Sequence, residues 1–257
     1  MIDQERSSII FLNGLLYDQN RWIETCQHLF ELSYNLLTFD FYGQGRTVES
    51  NKIPTQPISL DNQVEDLYQL IVQEVGDKAV ILVGLSYGGA VAQRFGMKYP
   101  NLIEKILLIA PYIQPINQLE SIVEQQSYLT NLFVPFLSFS ECFDFHLKNL
   151  MGVEVFKDKL EKGNLDNIQL HSEGTFRLAQ GIKHLHINPI ELEKLPKNSV
   201  SLLIPKYDEY TSVLDYLAFW NNIPSRVKSN VEILPTMHRV PGAEPKALAD
   251  WIKKEVV

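Results

Sequence analysis

The hexapeptide Gly84-Leu85-Ser86-Tyr87-Gly88-Gly89 constrains this chain more than any other feature of its sequence. It follows the aliphatic run Ala79-Val80-Ile81-Leu82-Val83 and opens a stretch, residues 86–98, with the apolar spacing of a helix. A G-x-S-x-G in that position reads as a strand–turn–helix junction. A serine at so sharp a turn takes strained backbone angles, and its neighbours crowd one another. Gly84 and Gly88 remove the side chains that would collide. The helix that follows directs its N-terminal N–H groups and dipole at the serine. Ser86 is therefore a candidate nucleophile held at the end of a strand.

The rest of the chain supplies a sheet for that junction. Strands are expected over residues 8–12, 35–39, 79–83, 105–109, 200–204 and 231–234. Helices are expected over 19–32, 59–75 (opened by Ser59 or Asp61), 86–98, 212–220 and 245–254. In the first helix, Trp22, Ile23, Cys26, Leu29 and Phe30 fall on one face. Strand–helix alternation with continuous apolar strands implies an α/β fold, a mostly parallel, doubly wound sheet covered on both faces. Residues 112–196 break the rhythm. They contain no convincing strand, but helical stretches rich in aromatics: Tyr128, Phe133, Phe136, Phe139, Phe143 and Phe145. That block is too long and too apolar to be a loop. The reading is a core of residues 1–111 and 197–257 with a helical cap, 112–196, inserted into it.

Composition narrows the function classes. With 257 residues, 45% hydrophobic and 21% charged, the chain can bury a large core and global disorder is excluded. A net charge of -8 argues against a nucleic-acid or anionic-membrane partner. No apolar run reaches the ~20 residues of a membrane span, and the polar N-terminus does not resemble a secretory leader. A cytoplasmic protein with Cys26 and Cys142 as reduced thiols is expected; a single bridge between them is left open. His184 and His186 lack an evident third ligand, so no metal site is assigned, and His28, His146 and His171 carry no motif. No phosphate loop or dinucleotide fingerprint occurs, so no cofactor is implied.

A serine needs a base, and the base needs an orienting acid. In open α/β sheets such groups lie in loops at the carboxyl ends of strands. The loop after residues 200–204 offers Asp208, with Glu209 beside it as the competing acid. The loop after 231–234 offers His238. Asp40, after the second strand, reads as a turn acid that accepts backbone N–H bonds ahead of Gly43. An oxyanion hole would use the N–H of Tyr87, next to the nucleophile, and that of Leu15, after the first strand, where Gly14 lets the backbone turn toward the site.

These residues resemble the α/β-hydrolase superfamily. Phe11-Leu12-Asn13-Gly14 resembles its strand followed by His-Gly, with Asn13 where histidine is usual. Asp40-Phe41-Tyr42-Gly43-Gln44-Gly45 resembles its D-x-x-G-x-G turn, and residues 84–89 resemble its nucleophile elbow. Ser86, Asp208 and His238 follow its chain order of nucleophile, acid and base, and residues 112–196 match its cap. Only seven residues precede Ser8, so the family's first two strands are expected to be missing. The resemblance then implies six strands in the family order 4-3-5-6-7-8. Ser86-Tyr87-Gly88-Gly89, Leu12-Asn13-Gly14 and Asp208-Glu209-Tyr210-Thr211 are also similar to bacterial acyltransferases that make hydroxyacyl precursors of rhamnolipids.

The expected activity is a serine hydrolase. It would cleave an ester, thioester or lactone of a small apolar or acyl substrate through an acyl-enzyme. Three alternatives stand beside it: an acyltransferase using a hydroxyacyl thioester, a C–C bond hydrolase with the same triad, and a non-catalytic small-ligand receptor on the same fold.

Overall fold

A computed structural model describes residues 2–3, 5–15, 17–49, 58–113 and 187–256, together with Gly174, Arg177, Leu178 and Gly181. The aromatics between 128 and 145, Cys142, His146, His171, His184 and His186 lie outside the described residues. The chain divides into two compact units. One comprises residues 1–39, 60–114 and 186–257, the other residues 40–59 and 115–185.

The first unit is built on six strands: β1 (Ser8–Leu12), β2 (Asn35–Thr38), β3 (Val80–Leu85), β4 (Ile103–Ile109), β5 (Val200–Pro205) and β6 (Lys228–Leu234). Every pair is parallel, and the order across the sheet is β2-β1-β3-β4-β5-β6. This is the order the resemblance implies, written in this chain's numbering. The aliphatic runs explain the layering. Every residue of β1, β3 and β5 is buried, whereas the edge strands β2 and β6 are largely half-buried. A strand can be apolar at every position only where helices cover both faces.

The helices of this unit are α1 (Ile23–Leu29), α3 (Leu60–Glu74), α4 (Tyr87–Lys98), α5 (Val213–Asn222), α6 (Val240–Ala243) and α7 (Pro245–Val256). Their sequences explain their ends. Ser212 caps α5 by accepting the Asp215 N–H and donating to its carboxylate at 2.6 Å. Pro245 starts α7, where its missing N–H costs no helical bond. α4 packs on β1, β3 and β4, and α1 packs on α7.

The expected helix over 19–32 is corrected in its phase. Gln19–Trp22 forms a 3₁₀ turn, and the α-helix begins only at Ile23. A 3₁₀ turn has ~3.0 residues per turn against 3.6, so the apolar stripe rotates. Trp22, Thr25 and Leu29 are buried, while Ile23 and Phe30 are 51% and 80% exposed.

In the second unit, residues 40–49 fold as the D-x-x-G-x-G turn and a short helix, α2 (Gly45–Glu49). Asp40 Oδ2 accepts the Arg46 N–H at 3.1 Å, and Thr47 Oγ1 donates to Phe41 O at 2.8 Å. Gly43 and Gly45 have φ of 94° and 49°, a region costly for other residues. The Ile58 N–H bonds Arg177 O at 3.1 Å. Among the described residues, no helix is long and apolar enough to cross a membrane.

Candidate active site

Ser86 directly follows β3 at φ 50° and ψ -112°, an unfavourable conformation for a residue with a Cβ. Its backbone is held from several directions. Its N–H bonds Ile109 O at 3.0 Å, and its carbonyl accepts from Gly89 at 2.9 Å, Ala90 at 3.2 Å and Tyr112 at 2.9 Å. Strain of this kind persists only where surrounding bonds over-determine it. The flanking glycines are required by close approach. A Cβ on Gly84 would lie 2.6 Å from Gly88 O, and one on Gly88 would strike Leu12 O. The start of α4 therefore packs directly on the end of β1, where the loop carrying Gly14 and Leu15 begins.

That loop is fixed by Asn13, which is fully buried. Its Nδ2 donates to Phe39 O at 3.1 Å, and its Oδ1 accepts the Trp22 indole N–H at 2.7 Å. Asn13 thus takes over the loop's internal bonding where the wider superfamily has histidine. Tyr17 N–H closes a turn on Gly14 O at 3.4 Å. Gly14 has no positive φ; its role is space. A Cβ there would lie 3.2 Å from Tyr17 Cδ2 and 3.4 Å from Ser86 Cβ. Leu15 and Tyr87, the expected oxyanion donors, thus sit in the two segments that meet beside Ser86.

Asp208 and His238 come from the loops after β5 and β6, and the structure brings them together. His238 Nδ1 lies 2.7 Å from Asp208 Oδ2, with side chains 9% and 1% exposed. Two backbone bonds join the loops, Lys206 N to Leu234 O at 2.8 Å and Tyr207 N to Thr236 O at 3.0 Å. Glu209 does not bind the imidazole; its Oε2 accepts the His238 backbone N–H at 3.0 Å. The two adjacent acids thus hold one histidine, at the ring and at the main chain. The Tyr210 ring meets the imidazole edge-on, centroids 4.8 Å apart.

The Asp208 carboxylate is saturated with donors. Oδ1 accepts Tyr210 N–H at 2.8 Å and Thr211 N–H at 3.2 Å, and Oδ2 also accepts the Tyr216 hydroxyl at 2.7 Å. Burial alone would raise its pKa, but hydrogen bonds and charge from His238, with those from Tyr210 and Tyr216, hold it below the ordinary carboxylate range. Tyr216 was not singled out from the sequence. It sits eight residues after Asp208 on the apolar face of α5, where a tyrosine is indistinguishable from packing.

No hydrogen bond joins Ser86 Oγ to His238 among the described residues. All three side chains nevertheless lie at the carboxyl edge of one sheet, after β3, β5 and β6. No cluster of three or more His, Cys, Asp or Glu positioned for a metal occurs among the described residues.

Residues 3–239 match the family described as serine aminopeptidase, S33. The chain is similar to proline iminopeptidase PfmaB of Pestalotiopsis fici, 31% identical over 30% of this chain and 26% of the relative. It is also similar to the (lyso)-N-acylphosphatidylethanolamine lipase of Bos taurus, 25% identical over 44% of this chain and 32% of that protein. The match thus spans no more than about a third of either relative's length. Among solved structures, the fold is that of MGS-M2, an α/β-hydrolase enzyme from a Medee basin deep-sea metagenome library. The TM-score is 0.75 at 17% identity, over 99% of this chain and 90% of the other. The chain belongs to the serine aminopeptidase S33 family and has the α/β-hydrolase fold.

Proposed function

We propose that this protein hydrolyses carboxylic esters through an acyl-enzyme on Ser86, with His238 as base and Asp208 as its orienting acid. The observation that carries the reading is the 2.7 Å bond from Asp208 Oδ2 to His238 Nδ1, on the sheet edge that also carries the strained Ser86. A carboxylate only accepts, so Nδ1 keeps the proton and Nε2 presents a lone pair.

His238 Nε2 takes the Ser86 proton as Oγ attacks the acyl carbonyl, and the imidazolium is stabilised by Asp208. For this step the two side chains close to about 2.6–3.2 Å, a contact that in many hydrolases tightens only around substrate. The Leu15 and Tyr87 N–H groups receive the oxyanion, Tyr87 with the help of the α4 dipole. His238 then protonates the leaving alcohol, and a water deacylates Ser86 by the reverse sequence. An apolar acyl group is preferred, a reading that rests on the aromatics between residues 128 and 145.

Three activity measurements test this. A fluorophosphonate probe should label the wild-type protein and not Ser86→Ala; a folded wild type that takes no label overturns the nucleophile. A p-nitrophenyl ester series should show a rise in kcat/KM with chain length. Prolyl anilides belong in the same panel, because iminopeptidases are among the relatives. Turnover of anilides with none of esters would replace the ester reading with a peptidase.

A further inference from the structure

Asp208 has four donors, and they are not equivalent. Tyr210 N–H and Thr211 N–H come from its own turn and fix the carboxylate only to its own loop. The other two share one oxygen. His238 Nδ1 and the Tyr216 hydroxyl each lie 2.7 Å from Oδ2. Tyr216 is fully buried, and it belongs to α5, a helix anchored by the Ser212 cap one turn earlier. A carboxylate has about four lone-pair sites, so these donors fill it. Tyr216 is the one donor that ties Asp208 to a regular element rather than to a catalytic loop.

We propose that Tyr216 is a positioning residue for the base: its hydroxyl holds Asp208 Oδ2 in line with His238 Nδ1 and draws off part of that oxygen's basicity. This rests on the reading of Asp208 and His238 as acid and base, and adds a residue to it. No proton leaves Tyr216. Burial and the adjacent carboxylate raise its phenol far above the usual range, so it stays a donor at working pH. An oxygen that accepts a second hydrogen bond attracts the imidazolium less strongly. Loss of the hydroxyl should therefore strengthen the hold of Asp208 on the imidazolium.

The other titratable groups facing this pair are Glu209 on the His238 N–H, Tyr210 against the imidazole, and Arg239 next in the chain. Tyr17 also lies within their electrostatic reach. Tyr216→Phe leaves all of them in place and removes one oxygen.

The test is the titration of the His238 imidazole, followed by NMR in wild-type and Tyr216→Phe protein. The midpoint should move up by roughly half a pH unit or more. The acid limb of kcat/KM should move with it, and kcat/KM on that limb should fall roughly threefold or more with little change in KM. In an Asp208→Ala background the same substitution should leave the His238 midpoint where it is, because the shared acceptor is gone. An unmoved midpoint in Tyr216→Phe, with only a lower Tm, overturns the proposal, as does an equal shift in both backgrounds. The NMR readout does not depend on turnover. A wild type that takes no phosphonate label while its His238 midpoint still moves removes the nucleophile and leaves Tyr216 its role.

Discussion

The indole N–H of Trp22 donates to Asn13 Oδ1 at 2.7 Å inside the core, and the same amide donates onward to Phe39 O at 3.1 Å. One buried side chain thus ties the end of β1 to the 3₁₀ turn that follows it and to the end of β2. The loop beginning at Gly14 is anchored before it reaches Leu15.

Asn13→Ala should therefore destabilise the protein. It leaves the Trp22 N–H and the Phe39 carbonyl without this partner in the interior, at a cost of about 2–3 kcal/mol. Trp22→Phe removes one donor and keeps much of the volume, so it should cost less. Urea midpoints of the two variants check the order; Asn13→Ala with wild-type stability would show the amide to be dispensable.

Gly88→Ala should be severe for a different reason. The added Cβ lands on Leu12 O and lies 2.7 Å from Asn13 O, both main-chain atoms that cannot rotate away. α4 would have to lift off the end of β1. A loss of about 3 kcal/mol or more, or failure to accumulate as soluble protein, is expected. A variant with an unchanged thermal midpoint would mean that the elbow can relax without cost.

Asp208 sets a pH dependence whose sign follows from its lowered pKa. A carboxyl with a folded-state pKa below its unfolded value binds fewer protons in the folded state. Its stabilisation is fully present above the ordinary carboxylate range, near pH 4, and is lost as pH falls through the folded value. Wild-type stability should decline in acid with a component that Asp208→Asn lacks. Under the proposed mechanism, the same substitution should lower kcat by about three to four orders of magnitude through loss of the correct imidazole tautomer. Parallel denaturation curves from pH 3 to 7 measure the first effect, and ester turnover at neutral pH the second.

Cys26 should be chemically quiet. Burial pushes its thiol up to about 12, so the reactive thiolate is scarce at neutral pH. Alkylation of the Cys26 peptide by iodoacetamide at pH 8, read by mass spectrometry, should run at least about a hundredfold slower than for a free cysteine. The rate should recover when the chain is unfolded in urea. Fast labelling of the native protein would contradict this burial.

Much of the architecture was legible because it is locally encoded. β1 runs over the five residues expected, β4 and β5 contain the runs expected for them, and β3 begins one residue later than expected, at Val80, since an aliphatic stretch between turn residues has few other uses. Helix 19–32 was misread in phase because its first turn is 3₁₀. That choice is made by Asp18, whose side chain caps Asn20, and by the burial of Trp22 rather than by the apolar spacing. Ile23 and Phe30 fit the helical pattern and still face solvent.

The site divides in the same way. Ser86, Asp208 and His238 could be picked out from the sequence because each follows a recognisable strand, and the strand order places all three at one edge of the sheet. The sequence favours Asp208 over the adjacent Glu209 without giving the physical reason. The two acids are adjacent, and each is long enough to reach the histidine. It is the turn formed by Tyr210 and Thr211 N–H on Asp208 Oδ1 that aims Oδ2 at the imidazole and sends Glu209 to the main chain. Asn13 and Tyr216 were equally hidden, because a buried amide or phenol takes its meaning from partners 26 and 8 residues away. Local patterning determined which segments become strands and helices and where the loops fall. Which polar groups satisfy one another in the interior was decided only once the chain had packed, since the cost of leaving a buried donor or acceptor unmatched is set by everything around it.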